Sequence, residues 1–199
     1  MKTNLLALVS AGALVASLSV ATAQDIAAGT YNFDPAHSSI AFEYDHLGFS
    51  TSHGLVRGVT GAVTLDPANP ANSSVEASFP MSNLVSVAAE MDGHLRGENF
   101  FNSPDGSSLI TFKSTAVEID DDGDEAKVTG DLTLNGVTKS VVLDVDLEKA
   151  GPHPMTNKPT VGFDAETKIL RSEFNLGQFA PAVGDEVEIN ISVEAVLAE

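Results

Sequence analysis

The strongest constraint in the chain is a two-residue alternation near its end. Val187, Ile189, Ile191, Val193, Ala195 and Leu197 alternate with Glu186, Glu188, Asn190, Ser192 and Glu194. Successive side chains of an extended strand point to opposite faces, so this is a strand with one apolar and one wet face. Val141, Leu143, Val145 and Leu147 alternate in the same way with Val142, Asp144 and Asp146. Val128, Leu132 and Leu134 alternate with Lys127, Thr129, Asp131 and Thr133. Between these two runs sits Asn135-Gly136, a pair that tolerates positive φ in a tight hairpin. Asp122-Gly123-Asp124 predicts a second hairpin, joining a strand near 108–119 to the one near 127–134. Further strands are predicted over 30–34, 37–45, 54–66, 73–82 and 160–174.

Residues 86–99 break this rhythm. They are helix formers without alternation, and predict a short helix near 88–97 that Gly93 and Gly97 weaken. Loops rich in Pro and Gly are predicted at 66–72 and 150–162. No repeat or long linker divides the chain. About eight antiparallel strands with one minor helix suggest a closed barrel or a sandwich. Closure would remove the exposed edges that invite aggregation.

The first 23 residues follow other rules. Lys2 is their only charge, Leu5 to Val20 is an apolar run, and Ala21-Thr22-Ala23 is a small-x-small site. This reads as a signal peptide cleaved before Gln24, leaving one domain over 24–199. Its short, bacterial style of leader predicts a periplasmic destination.

Charge and cysteine content exclude several functions. The chain has 28 Asp and Glu against 10 Lys and Arg, a net charge of −18. Non-specific nucleic-acid binding needs cations to displace phosphate counterions, so it is excluded. Electrostatic docking on an anionic membrane is disfavoured too, and no stable membrane insertion of the mature chain is expected. The absence of Cys removes disulfides, thiolate nucleophiles, iron–sulfur clusters and Cys-ligated zinc.

The remaining polar groups form no strong catalytic motif. His37, His46 and His53 are close in sequence, with His94 and His153 elsewhere, but their spacing fits no metal motif and no metal is expected. Asp34, His37 and Ser38 cannot easily form a triad, because neighbours on a strand face opposite ways. The acidic run after Glu118 aligns with a calcium loop through Gly123. It then offers Thr129 where the bidentate Glu is needed, which favours a solvated hairpin tip. Gly58-Val59-Thr60-Gly61 lacks the Lys and the following helix of a phosphate loop.

The motifs taken in order resemble the YceI family, periplasmic lipocalin-like polyisoprenoid-binding proteins. The resemblance begins at Tyr31-Asn32-Phe33-Asp34-Pro35-Ala36-His37-Ser38 and continues through Ile40, Phe42 and His46-Leu47-Gly48-Phe49-Ser50. It passes through Asp92-Gly93-His94-Leu95-Arg96, Phe100-Phe101 and Ile110-Thr111-Phe112-Lys113-Ser114-Thr115. Gly130 to Lys139, Gly162-Phe163, Arg171-Ser172-Glu173-Phe174 and Gly184-Asp185-Glu186-Val187 complete it. Two departures stand out. Ser108-Leu109 replaces the usual Tyr-Pro, and Asn175 replaces the Gly after Phe174.

The resemblance implies an all-β fold, an extended eight-stranded antiparallel lipocalin-like barrel with one short helix. It implies a tunnel that binds, and stores or carries, a long isoprenoid lipid without catalysis, the head being a quinone or a prenyl phosphate. No cofactor beyond that ligand is implied. Strand parity then nominates Ile40, Phe42, Tyr44, Ile110, Phe112, Leu132 and Leu134 for the tail, with Phe79, Phe100 and Phe101 closing the tunnel near the helix. His37, His46, His94, Arg96 and Arg57 are nominated for the head group. Two partners are also expected: a second copy through an exposed strand face, and a separate membrane electron-transfer protein, since the family includes forms joined to membrane cytochromes. Two other readings stay open, a binder of another amphiphile such as a fatty amide, and a small His-dependent enzyme.

Overall fold

A computed structural model describes residues 26–120 and 123–199; the expected leader lies outside these residues. Among them the chain forms β1 (Gly29–Phe33), β2 (Ser39–His46), β3 (Ser50–Arg57), β4 (Thr60–Leu65), β5 (Ser74–Pro80) and β6 (Leu84–Ser86). A helix α1 (Ala89–Arg96) follows. Then come β7 (Leu109–Ile119), β8 (Glu125–Leu134), β9 (Val137–Pro152), β10 (Pro159–Leu170) and β11 (Glu186–Leu197).

All strand pairs are antiparallel. The sheet order is β1-β4-β5-β7-β8-β9-β10-β11-β2-β3-β6, and β1 pairs again with β11. The eight strands from β1 round to β11 therefore close a barrel, of the two architectures that alternation left open. Closure rests on β11, which gives Ala195–Leu197 to β1 and Glu188–Ser192 to β2 along the same edge. The β2-β3-β6 branch lengthens the barrel at that end, and α1 lies beside it.

Three neighbouring strands break at the same level. The Asp34–Ser38 turn separates β1 from β2, Gly58-Val59 separates β3 from β4, and a 3-10 turn at Met81–Asn83 separates β5 from β6. The alternation over 54–66 predicts one strand; the structure divides it because Gly58 takes a positive φ of 62°. Asn83 Nδ2 donates to Gly58 O at 3.3 Å across the break. The loop predicted at 150–162 is shorter than expected. Pairing of Pro159 with Pro152 extends the ladder into both flanks. The Asn135-Gly136 hairpin forms as predicted, with φ of 51° and 74°.

Two apolar clusters hold the ends of the barrel. Val56, Val59, Met81, Leu84, Ile110, Leu134, Ile169, Phe174 and Leu176 pack near α1. Tyr31, Val63, Val161 and Ala195 pack at the other end. Between them the inward side chains of β2 and β11 are only half-buried, because they face a hollow rather than one another.

Candidate functional site: an apolar tunnel through the barrel

Parity turns one side of every barrel strand inward. Ile40, Phe42 and Tyr44 of β2, Phe79 of β5, Ile110 and Phe112 of β7, and Leu132 and Leu134 of β8 all line one cavity of about 500 Å³. Phe100 and Phe101, after α1, line it as well. All ten residues nominated for the tail thus meet in one space. The rest of the wall comes from Val141, Leu143 and Val145 of β9, Phe163, Ala165 and Ile169 of β10, and the apolar series from Val187 to Val193 in β11. The alternation that marks these strands was also the signal for their inward face.

Two β-bulges set where that signal fails. Thr115 has no partner in β8, so inward residues of β7 change from even to odd, from Ile110 and Phe112 to Val117 and Ile119. Glu148 is likewise left over between β9 and β10.

Glycines make room for the rings. A Cβ on Gly54 would sit 2.1 Å from Phe42 Cζ, and one on Gly130 would sit 2.3 Å from Phe112 Cζ. The outer end of each phenyl ring therefore occupies the space that a side chain on the glycine would take.

The cavity reaches solvent at both ends. His94 and Phe179 line it and are exposed at the α1 end; Ser74 and Ile119 do so at the other. At the α1 end His46 and His94 supply imidazoles. The His94 ring lies 5.1 Å from Phe100, which lies 6.3 Å from Phe179.

The other three head-group nominees do not line this cavity. His37 is outside the barrel, its Nδ1 2.7 Å from Asp34 Oδ2. That hydrogen bond raises the imidazole pKa and lowers that of Asp34. With Glu194 these two groups bring three ligand-type atoms within 4.8 Å of one another. Ser38 turns away from His37 and donates to Glu194 O, so no triad forms. Arg57 is exposed on the outer side of β3, and Arg96 is on α1 with its Nε buried and unpartnered. Both lie near Asp92, whose carboxylate accepts from Ser86 Oγ at 2.6 Å and Ser86 N at 2.5 Å. These bonds, with the two guanidinium charges, hold the Asp92 pKa down. Asp92 thereby ties α1 to β6.

Arg171 is a lining residue that the sequence reading missed. Its buried guanidinium donates to Gly184 O at 2.7 Å, Gln178 O at 2.9 Å, Val183 O at 2.8 Å and also to Leu176 O. One cation thus gathers the whole 176–184 segment at the α1 end. Its partners are backbone carbonyls, which leave no side-chain signature to read. Asp185 caps the arrangement by accepting from Ser172 Oγ at 2.7 Å, a bond that lowers its pKa.

Among the described residues no helix is long and apolar enough to cross a membrane. The model of the YceI-like domain family matches residues 31–195. Protein YceI of Escherichia coli O157:H7 is 38% identical over 187 residues, covering 93% of this chain and 95% of its own. The crystal structure of Burkholderia cenocepacia BcnA superimposes with a TM-score of 0.71 at 24% identity, over 82% of this chain and 99% of that one. A polyisoprenoid binding domain from Saccharophagus degradans gives a TM-score of 0.63 at 10% identity, over 84% of this chain and 98% of its own. At such identities these structures speak for the fold.

Proposed function

The chain belongs to the YceI-like domain family, and from that membership we propose that it binds a long-chain isoprenoid lipid in the barrel and stores or carries it through the periplasm without catalysing a reaction. The carrying observation is the continuous hydrocarbon wall of the cavity, to which barrel strands on every side contribute. An apolar cavity of about 150 Å³ already binds benzene. This one is about 500 Å³. Each buried methylene contributes about 0.8 kcal/mol, so one isoprene unit contributes a few kcal/mol before ordering costs. The structural similarity to a domain described as polyisoprenoid-binding is consistent with this ligand class.

A neutral, hydrogen-bonding head such as a quinone fits better than a phosphate. His46 and His94 stand at the α1 end, whereas the Arg171 guanidinium is already engaged by four carbonyls. The net charge of −18 also opposes an anionic head.

The test is native mass spectrometry and organic extraction of the mature protein, taken from its host's periplasm without detergent. A stoichiometric lipid with isoprene mass spacing is expected. An empty protein that also refuses offered prenyl quinones and prenyl phosphates would sink the proposal.

A further inference from the structure

The acidity of this chain is distributed unevenly along the barrel axis. At the end away from α1, Glu118, Asp120, Asp124 and Glu125 crowd the β7–β8 connection. At the α1 end four segments contain no Asp, Glu, Lys or Arg at all: 46–52, 84–89, 99–104 and 176–184. They are neighbours around the opening. Val183 bridges to His46, Gly184 N donates to Asp45 O at 2.9 Å, and the Phe100 and Phe179 rings are 6.3 Å apart.

Apolar side chains project from these segments into solvent. Phe49 is 90% exposed, Val87 81%, Phe179 53% and Leu47 47%. The β2–β3 turn fixes two of them outward. Phe49 N donates to His46 O at 3.1 Å, and Leu47 and Gly48 take φ of 60° and 70°. Single exposed apolar residues are ordinary, but a group around the mouth of an apolar cavity marks an interaction surface.

We propose that the α1 end is a membrane-docking surface, where Leu47, Phe49, Val87 and Phe179 enter the interfacial layer of a phospholipid bilayer and open the cavity onto lipid. The occupant follows from charge. A protein partner selected by this chain's acidity would be basic, and would find the densest acidic run at the far end, whereas the mouth sets its acids between apolar stretches. A lipid surface asks for apolar tips on charge-free stretches, and Leu47, Phe49, Val87 and Phe179 stand on such stretches, with Asp45, Glu90, Glu98, Asp105 and Asp185 only at their flanks. Repulsion between an anionic leaflet and the far-end acids turns the mouth toward the membrane. A prenyl tail can then pass from bilayer to barrel without crossing water. The inference takes its purpose from the lipid-carrying reading and its geometry from the exposed rim.

The chain contains no Trp, so a single introduced indole reports its own environment. F49W in the mature protein, mixed with phosphatidylcholine vesicles, is expected to shift its emission to the blue and to be quenched by brominated lipid. M155W, in the exposed β9–β10 loop at the other end, is expected to do neither. Phe49→Asp is expected to weaken vesicle binding about tenfold or more, with uptake of solubilised prenyl quinone unchanged. Phosphatidylglycerol in the vesicles should weaken binding, and added salt should restore it. Silence from F49W, or equal responses from F49W and M155W, would overturn the docking surface whether or not quinone is taken up. Loss of quinone uptake with the F49W response intact would overturn the cargo reading instead.

Discussion

Gly54 and Phe42 are direct cross-strand partners, and the phenyl ring occupies the space that a side chain at position 54 would fill. The lumen stays open because this ring, and Phe112 over Gly130, fold back onto glycine backbone. Gly54→Val is therefore expected to push the Phe42 ring into the cavity. The expected outcome is a stability loss of about 1–3 kcal/mol from overpacking and reduced lipid occupancy. Urea denaturation and extracted lipid per chain measure the two effects. Adding Phe42→Leu should recover occupancy; a G54V protein that loads normally would refute the relationship.

Filling the lumen separates binding from stability. Ala165 faces the cavity from the middle of β10. Ala165→Phe is expected to keep the fold and shorten the space for a tail. Excluding even one isoprene unit should weaken a long prenyl ligand by about 10- to 1000-fold, the upper figure being five carbons at roughly 0.8 kcal/mol each and the lower allowing for ordering costs. A ligand one or two units shorter should lose less. Titration with a prenyl chain-length series checks this.

Arg171 is expected to matter for folding of the α1 end. Arg171→Met removes the donors for four backbone carbonyls between Leu176 and Gly184 and leaves them to find water. Hydrogen bonds to a charged group contribute about 1.5–3 kcal/mol each net of exchange with water, so a loss of at least about 2 kcal/mol is expected. Limited proteolysis should cut first within 176–184. Unchanged stability with an intact segment would contradict the clamp.

Acid should release α1 before it unfolds the barrel. The Ser86 bonds hold the Asp92 pKa below its ordinary value, so its contribution is fully present above the unfolded carboxylate pKa of about 3.9. That contribution is lost as pH falls through the lower folded value. In Asp92→Asn, the dependence of the urea midpoint on pH below about 4 should flatten. Amide exchange over 89–96 reports the release directly. A slope unchanged by the substitution would remove Asp92 from the acid limb.

The imidazoles at the opening are expected to affect the head rather than the tail. His94→Ala should weaken a prenyl quinone by about 5- to 10-fold, the value of one hydrogen bond near 1 kcal/mol. It should leave binding of a head-free polyprene unchanged. Equal losses for both ligands would mean that His94 acts only through its packing on Phe100.

The lining was legible where parity was unbroken. Ile40, Phe42 and Tyr44 share one face because side chains alternate with period two, and no bulge interrupts β2. Val117 and Ile119 escaped the even-numbered series of Ile110 and Phe112 because Thr115 bulges. For His37, Arg57 and Arg96 a polar side chain says nothing about the end or face of the barrel it will occupy. The structure gives His37 to Asp34 and sets the two arginines near Asp92.

Local rules, then, were enough to define most of the elements, though not the break at Gly58 or the short strand β6: alternation made the long strands, Asn135-Gly136 made its hairpin, and the charge-free character of 46–52 and 176–184 was already written in the chain. Those rules act within a few residues. Closure of β11 on both β1 and β2, the single hollow, the gathering of 176–184 around Arg171 and the meeting of Phe179 with Phe100 join residues distant in sequence. They depend on register between strands, and register is fixed only when all the inward faces are packed together.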